Sequence, residues 1–127
     1  MREIRFRAWD EELQVMSNPF TLGDLQNHED FTFNTPDGEA CCGYNEFGLD
    51  NPKHILEQYT GLKDKNGLIE IFEGDIVIAG NRGTGVVEWY AGGFITRFDA
   101  RRYELINNHV EVIGNIHENK ELLHGND

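Results

Sequence analysis

Short strand-like stretches separated by turn residues fill the second half of the chain, and this pattern constrains the fold more than any other feature. The stretches are rich in β-branched and aromatic residues, as strands are. They are Asp75–Ala79, Val86–Tyr90, Phe94–Phe98, Tyr103–Ile106 and Val110–Ile116. Glycine, asparagine and aspartate fill the gaps between them, as in tight turns. Such a run is typical of a small SH3-like β-barrel, in which closure removes unpaired strand edges.

The first part of the chain predicts a hairpin followed by a less regular segment. Apolar and charged residues alternate over Arg2–Trp9, which indicates a half-buried strand, and Leu13–Met16 is its predicted hairpin partner. Residues 17–52 contain all three prolines and many turn formers. We therefore expect either an irregular acidic insertion there or a small lobe that packs on the rest of the chain, with a short helix within Thr21–Glu29 and a strand at Phe31–Phe33.

Between and after these parts lie three weaker signals. Residues Ile55–Thr60 are β-prone or end a short helix, and Asn66-Gly67 favours a type I′ hairpin turn before a strand at Leu68–Phe72. Near the C-terminus, Asn119 is the predicted cap of a short helix over Lys120–His124.

The predicted fold class is α+β and mostly β. The N-terminal hairpin and the irregular acidic segment, residues 1–54, pack on the C-terminal SH3-like small β-barrel, residues 55–127. At 127 residues the chain is long enough to bury a core, and the two parts can equally form one continuous domain.

Charge limits the possible functions. The formal net charge is −12, and no lysine or arginine lies between Ala8 and Pro52. The acidic residues of that stretch are Asp10, Glu11, Glu12, Asp24, Glu29, Asp30, Asp37, Glu39, Glu46 and Asp50. Binding to nucleic acid depends on cations that displace phosphate counterions, so direct nucleic-acid binding is not favoured. Dispersed carboxylates also promote solubility, which is the simplest interpretation.

Hydropathy and cysteine content indicate a cytoplasmic protein without a membrane segment. No apolar run approaches the roughly 20 residues of a membrane span, and the charged N-terminus lacks a signal-peptide core. The only cysteines, Cys41 and Cys42, are adjacent, so we expect two reduced thiols rather than a staple. His28 and His54 lack ligand-like spacing relative to them, so neither a metal site nor a cofactor is predicted.

Two motifs invite a catalytic or ligand-binding interpretation, and each has a stronger structural one. The glycine-rich loop Gly80–Gly85 is followed by a predicted strand rather than the helix of a phosphate-binding loop, so we interpret it as a hairpin connection. Glu70, Glu73 and Asp75 lie close in sequence, but Asp75 in a Glu-Gly-Asp turn is better suited to bind backbone amides than to catalyse. No catalytic residue is predicted; enzymatic activity stays open but is not favoured.

Aromatic residues supply a possible partner surface. Trp89, Tyr90, Phe94 and Phe98 have the composition of an SH3-type peptide groove, although a core role is favoured. Alternation along a strand places Trp89 and Tyr90 on opposite faces, so one belongs to the core and the other can be exposed.

The basic residues form two local sets, which are predicted to face the acidic segment within the chain or across subunits. The sets are Arg2, Arg5, Arg7 and Arg97, Arg101, Arg102. Contacts across subunits would give a salt-sensitive homo-oligomer. Direct nucleic-acid binding would require the second set to share one exposed face. Exposure of Tyr44 and Phe47 would add a further partner surface.

Three stretches resemble the YopX family of phage and prophage proteins, which is biochemically uncharacterised. They are Arg2–Asp10, then Gln58–Gly67 with Glu73–Val77, then Val112–Asn119 with Glu121–Leu123. They follow the family's order and span nearly the whole chain, although one residue more than is typical separates Asn66-Gly67 from Glu73-Gly74, which a β-bulge would absorb. The resemblance implies a phage or prophage origin and a strand-rich fold with a barrel-like C-terminal part. It implies no catalytic residue.

These observations favour an uncharacterised phage or prophage protein that serves as a non-enzymatic protein-interaction module in the cytoplasm of the bacterial host. Its partner is another protein or a second copy of the chain. The alternative is an acidic DNA mimic that inhibits a host nucleic-acid-binding protein, with carboxylates that imitate phosphate spacing. No residue is assigned to a catalytic, cofactor or metal site.

Overall fold

Antiparallel strands make up most of the computed structural model, which describes residues 4–27, 31–35, 38–42 and 54–124. The chain divides into two compact units, residues 1–58 (unit 1) and residues 59–127 (unit 2). The division lies within the strand His54–Lys63. The described part of the chain is mostly β with few helices.

In unit 1 the first strand is central. The elements are β1 (Arg5–Asp10), β2 (Val15–Met16), β3 (Phe20–Thr21), α1 (Leu22–Gln26), β4 (Phe31–Thr35), β5 (Gly38–Cys42) and the first half of β6 (His54–Lys63). β2 and β3 pair antiparallel with one edge of β1, and β6 pairs with the other edge. Ala8, Trp9 and Phe20 are buried, so the end of β1 and the start of β3 supply the apolar core.

The segment predicted to be irregular contains regular structure. β4 and β5 form an antiparallel hairpin in which Phe31 lies opposite Cys42. Asn18 anchors this hairpin, because its backbone N–H donates to the Thr32 carbonyl at 2.8 Å and its side-chain amide donates to Thr32 Oγ1 at 2.7 Å. Residues 36 and 37, between β4 and β5, lie outside the described residues. The short helix and the strand expected in this segment are confirmed as α1 and β4, and β5 is an additional strand that the sequence does not predict.

Unit 2 is built on an antiparallel sheet with the strand order β11-β10-β9-β8-β12. Its elements are the second half of β6, β7 (Glu70–Phe72), β8 (Asp75–Ile78), a 3-10 turn (Gly80–Arg82), β9 (Thr84–Tyr90), β10 (Gly93–Arg97), β11 (Tyr103–Leu105), β12 (Glu111–Asn115) and α2 (Glu121–His124). The five strands predicted from Asp75 onward are confirmed as β8 to β12. This sheet is curled like half of a barrel.

The core of unit 2 lies on the inner face of this sheet. Ile71, Val77, Val87 and Val110 are at most 1% exposed and pack together. Burying each such aliphatic side chain stabilises the fold by about 1.5–3 kcal/mol. Val87 lies opposite Thr96 across the β9–β10 pair, and both are buried, so the positions that alternate with them form the outer face.

Two turns differ from the sequence predictions. Gly67, with a φ of 70°, is the sole residue of its turn at positive φ, whereas a type I′ turn requires two. The turn is closed instead by the Gly67 N–H, which donates to the Asp64 carbonyl at 2.8 Å. Positive φ at two successive residues occurs at Ala91 (52°) and Gly92 (87°), between β9 and β10. β7 begins at Glu70, later than predicted, because the preceding Leu68 and Ile69 belong to the loop.

Asn119 closes a turn rather than capping the final helix. Its Oδ1 accepts the N–H of Asn115 at 3.1 Å, and α2 begins two residues later, at Glu121. Gly114 lies directly against this side chain, since a Cβ at position 114 would be 2.6 Å from Asn119 Oδ1. The stretch from Gly114 to Asn119 is thus a packed turn, and the predicted capping role is wrong.

The β-sheet leaves no room for a side chain at Gly85. A Cβ there would lie 2.7 Å from Thr96 Cγ2 and 2.9 Å from the Arg97 carbonyl oxygen. We expect Gly85→Ala to lower the free energy of unfolding by about 1–3 kcal/mol, as overpacking does. Urea unfolding followed by circular dichroism measures the change. Gly93→Ala is the control: its nearest atom would be 3.9 Å away, so a change within about 0.5 kcal/mol is expected. Equal losses in both variants would contradict the argument.

Ala91 occupies a conformation that suits glycine better. At a φ of 52° its Cβ crowds the backbone. We expect Ala91→Gly to raise the free energy of unfolding by about 1 kcal/mol, visible as a higher melting temperature. Ala100→Gly, at an exposed bend without positive φ, is the matched control and should not stabilise. A stabilisation of both variants would point to a general glycine effect instead.

Candidate functional site

The outer face of β9, β10 and β11 carries exposed aromatic side chains and an arginine that contacts them. In an antiparallel pair, directly opposite residues share a face. Tyr90 lies opposite Gly93, Glu88 opposite Ile95, and Ile95 in turn opposite Leu105. Arg97 lies opposite Tyr103. We call this set the outer face: Glu88, Tyr90, Ile95, Arg97, Tyr103 and Leu105.

The rings of the outer face form a compact arrangement around one guanidinium group. The rings of Tyr90 and Tyr103 lie 5.2 Å apart at an interplanar angle of 66°. The guanidinium carbon of Arg97 lies 5.0 Å from the Tyr90 ring centroid and 5.1 Å from that of Tyr103, within cation–π range. Ile95, which the register places between the tyrosines, is only 2% exposed.

A carboxylate fixes the position of Arg97. The Nε of Arg97 donates a hydrogen bond to Oε1 of Glu88, its diagonal neighbour on β9. This hydrogen bond raises the pKa of Arg97 above its ordinary value. The guanidinium therefore keeps its charge at every physiological pH, and its plane is held in place.

Apolar surface adjoins this cluster. Leu105 is 75% exposed, and the Tyr103 side chain next to it is half exposed. Trp89 and Tyr90 lie on opposite faces as predicted, yet both are about half exposed, so the prediction that one belongs to the core is wrong. Both residues lie at the end of β9, and the core position near them is taken by Phe94, whose ring meets Trp89 edge-on at 4.9 Å.

Arginines lie beside the outer face. Arg102 donates to Asp99 at 2.8 Å and stacks on the Phe98 ring, and Arg82 pairs with Glu104. The hydrogen bonds from the Arg102 side chain and from the N–H groups of Arg101 and Arg102 lower the pKa of Asp99 to about 2. An open pocket of about 460 Å³ lies here, lined by Arg82, Arg101, Arg102, Phe98, Tyr103 and Glu104.

The arginine sets have local carboxylate partners. Arg7 pairs with Glu57 at 2.9 Å, and Arg97 and Arg102 pair with Glu88 and Asp99. None of these carboxylates belongs to residues 8–52, which the sequence predicts as the acidic partner. These three ion pairs differ from the predicted ones, and contacts of the arginines across subunits stay a prediction. Charged side chains paired across neighbouring strands or within one turn satisfy each other at short range, which the sequence does not reveal.

Asp75 has the structural role that the sequence predicts. It is 2% exposed, and its Oδ2 accepts the N–H of Phe72 at 2.8 Å, which closes the turn between β7 and β8. The Gly80–Gly85 loop likewise connects two strands, because β8 pairs antiparallel with β9. Both structural interpretations are confirmed.

Metal-ligating residues are dispersed. The described residues contain no group of three or more histidine, cysteine, aspartate or glutamate side chains able to hold a metal ion. Cys41 and Cys42 lie in β5, and the predicted candidates His28, Tyr44 and Phe47 lie outside the described residues. Within the same described part, none of the helices has the length and apolarity that crossing a bilayer requires.

A buried contact between an aspartate and a histidine in unit 1 was not predictable from the sequence. Asp10 and His54 lie opposite each other on β1 and β6, with Oδ2 and Nε2 3.0 Å apart and each side chain 8% exposed. Oδ1 of Asp10 accepts the N–H groups of Glu12 and Leu13, each at 2.9 Å. A carboxylate that orients a histidine occurs in catalytic triads. Here the carboxylate also shapes a turn, which makes the pair a structural element.

Comparisons with known proteins place this architecture in a family. Residues 5–124 match the family model of the YopX protein, so the chain belongs to the YopX family, as the resemblance predicts. The crystal structure of protein EF1440 from Enterococcus faecalis is similar to this chain, with 29% identity and a TM-score of 0.55. That match covers 94% of this chain and 97% of the other. Among curated proteins, none matches the chain.

The Asp10–His54 pair makes stability depend on pH. Burial alone would raise the pKa of Asp10, but the hydrogen bonds from Leu13, His54 and Glu12 outweigh it, so the pKa lies below the ordinary 3.8. Asp10 therefore binds its proton less tightly in the folded state than in the unfolded state. The resulting stabilisation is present above the ordinary pKa of 3.8 and is lost as the pH falls through the lower folded-state pKa.

We expect Asp10→Asn to destabilise unit 1 at pH 7 by about 1–3 kcal/mol, because the variant leaves buried donors poorly paired. The difference from wild type should shrink below pH 3.8. Urea unfolding at both pH values measures it. Glu11→Gln, an exposed neighbour, should behave like wild type at each pH. A difference that is independent of pH would show that the charge of Asp10 does not contribute.

Proposed function

We propose that the protein is a non-enzymatic protein-interaction module that binds its partner through the outer face of unit 2. One observation carries this proposal: a sheet surface exposes Tyr90, Tyr103 and Leu105. The rings of both tyrosines contact Arg97, whose position is fixed by its pairing with Glu88. Exposed apolar side chains in a contiguous group mark interaction sites.

The composition of the outer face supports binding to a protein. Tyrosine and arginine are enriched among the residues that dominate interface energies. Interfaces gain affinity when their side chains are ordered before binding, because less conformational entropy is lost. The contacts of Arg97 with Glu88, Tyr90 and Tyr103 provide that order.

The buried carboxylates support a role without catalysis. Asp10, Asp64 and Asp75 accept backbone N–H groups in turns, although Oδ2 of Asp64 is buried without a partner, and Glu57 pairs with Arg7. Each therefore has a structural function that accounts for its burial. A catalytic acid or base would instead face a cleft that substrate can enter.

The family and the strand order support three further proposals. Membership of the YopX family supports a phage or prophage origin and action in the cytoplasm of the bacterial host. Five antiparallel strands joined by short connections support an SH3-like barrel in unit 2. Exposed apolar and cationic side chains on one sheet face are also compatible with a homo-oligomer, which a mass measurement at low and high salt would detect.

The alternative function, a DNA mimic, depends on the carboxylates of residues 8–52. Asp10 is buried against His54, and Asp24 accepts the N–H of Thr21. These two serve the fold of unit 1 rather than presenting free charge. The outer face offers the stronger surface, so the interaction module is the function that the geometry favours.

A matched pair of leucine variants tests the proposal. Leu105 is 75% exposed on the outer face, and Leu68 is 83% exposed in the loop before β7. We expect Leu105→Glu to reduce partner capture from a bacterial host lysate by at least about tenfold, a typical effect for an interface hot spot. Leu68→Glu adds the same charge at similar exposure and should retain capture. Quantitative mass spectrometry of the retained proteins measures both.

If both variants capture the partner as well as wild type does, the binding surface lies elsewhere and the proposal is overturned. Equal loss in both variants would indicate that added negative charge, rather than the outer face, decides binding. Unfolding curves of the two variants should coincide with that of wild type, because both substitutions lie at exposed positions.

A further inference from the structure

β11 forms one edge of the sheet in unit 2, and its hydrogen-bonding pattern leaves one side of its backbone open. The N–H of Ile106 donates to the Phe94 carbonyl at 3.1 Å, so these opposite residues are a hydrogen-bonded pair. Hydrogen-bonded and non-hydrogen-bonded pairs alternate along an antiparallel ladder. Leu105 and Tyr103 are therefore in non-hydrogen-bonded pairs with β10. Their N–H and C=O groups point away from β10, toward the open edge.

The open edge is accessible. Within residues 54–124, no strand pairs with the side of β11 opposite β10. Leu105 is 75% exposed, and Tyr103 is 50% exposed. Edge strands with free N–H and C=O groups are templates for a further strand, whose main chain supplies affinity and whose alternate side chains supply specificity. The edge therefore offers both a backbone ladder and two apolar side chains.

Charge around this edge selects the kind of strand that fits. Three arginines and two carboxylates lie close to it, although the whole chain carries a net charge of −12. They are Arg82, Arg101, Arg102, Asp99 and Glu104. Arg101 is exposed, and among the described residues the ion pairs of this group are Arg82 with Glu104 and Arg102 with Asp99. The surplus positive charge opposes pairing with the same edge of a second copy and favours an acidic strand.

From this geometry we propose that the β11 edge binds an extended acidic segment of a partner protein by β-augmentation. The segment adds a strand beside Tyr103 and Leu105, with apolar side chains on the outer face and carboxylates near Arg101. The inference rests on the proposed interaction function and specifies its partner. It places the main-chain contact on the edge of the sheet rather than on the outer face alone.

Amide hydrogen exchange tests the edge directly. The probe is a peptide of alternating glutamate and valine, about six residues long, the usual length of a strand. The N–H groups of Tyr103 and Leu105 should exchange rapidly in the free protein, and peptide should slow their exchange at least about tenfold, since both become hydrogen-bonded. The Glu104 N–H, which faces β10, should be protected throughout. The same peptide with lysine in place of glutamate is the control and should give no protection.

Two substitutions at one position separate the backbone contribution from the side-chain contribution. Leu105→Pro removes an outward N–H without removing a bond to β10, the position at which an edge strand tolerates proline. Leu105→Ala keeps the N–H and removes most of the side chain. We expect Leu105→Pro to weaken binding of the acidic peptide at least tenfold more than Leu105→Ala does. The amide NMR spectrum of Leu105→Pro shows whether β11 stays folded. If β11 unfolds in this variant, the exchange experiment on wild type tests the inference instead.

Each other outcome overturns the inference in a distinct way. If the peptide shifts only the NMR signals of the Tyr90 and Arg97 side chains, the partner binds on the outer face. That result would retain the proposed function but refute augmentation. Protection of Tyr103 and Leu105 that rises with protein concentration and without peptide would show a second copy at the edge. Protection by the lysine peptide alone would refute the acidic partner. Absence of any effect, together with partner capture insensitive to Leu105→Glu, would overturn both proposals.

Discussion

The antiparallel register of β9, β10 and β11 is the constraint from which the core and the surface of unit 2 both follow. Because opposite residues share a face, Val87 and Thr96 are committed to the interior, and Arg97 and Tyr103 to the exterior. A shift by one residue would bury an arginine and expose a valine. The turn at Ala91-Gly92 fixes this register between β9 and β10, and it does so at the expense of a strained alanine.

Polar groups in the interior act mainly on turns. Asp75 and Asp10 satisfy backbone donors where strands end, so each carboxylate replaces water that burial removes. A chain with short strands has many strand ends, and each end exposes donors and acceptors that need a partner. This demand explains why aspartates are buried at the turns of this fold.

The sequence predicted β8 to β12 well because each is an apolar run bounded by turn residues, and this local pattern decides strand formation. It predicted β4 but not β5, since glycine, glutamate and alanine in β5 have weak β-propensity and only pairing with β4 makes a strand of them. The candidate site was partly visible, in that the aromatic residues near Tyr90 were identified. The cluster around Arg97 was not, because it depends on cross-strand register between residues that the sequence separates.

The packed turn formed by Gly114 and Asn119 has a consequence for how the family pattern should be understood. No side chain fits at position 114 unless Asn119 withdraws, so in related proteins the two positions are expected to vary jointly or not at all. The stretches that identify the family therefore encode how the chain reverses direction. A substitution at only one of the two positions would therefore disturb the reversal of the chain itself.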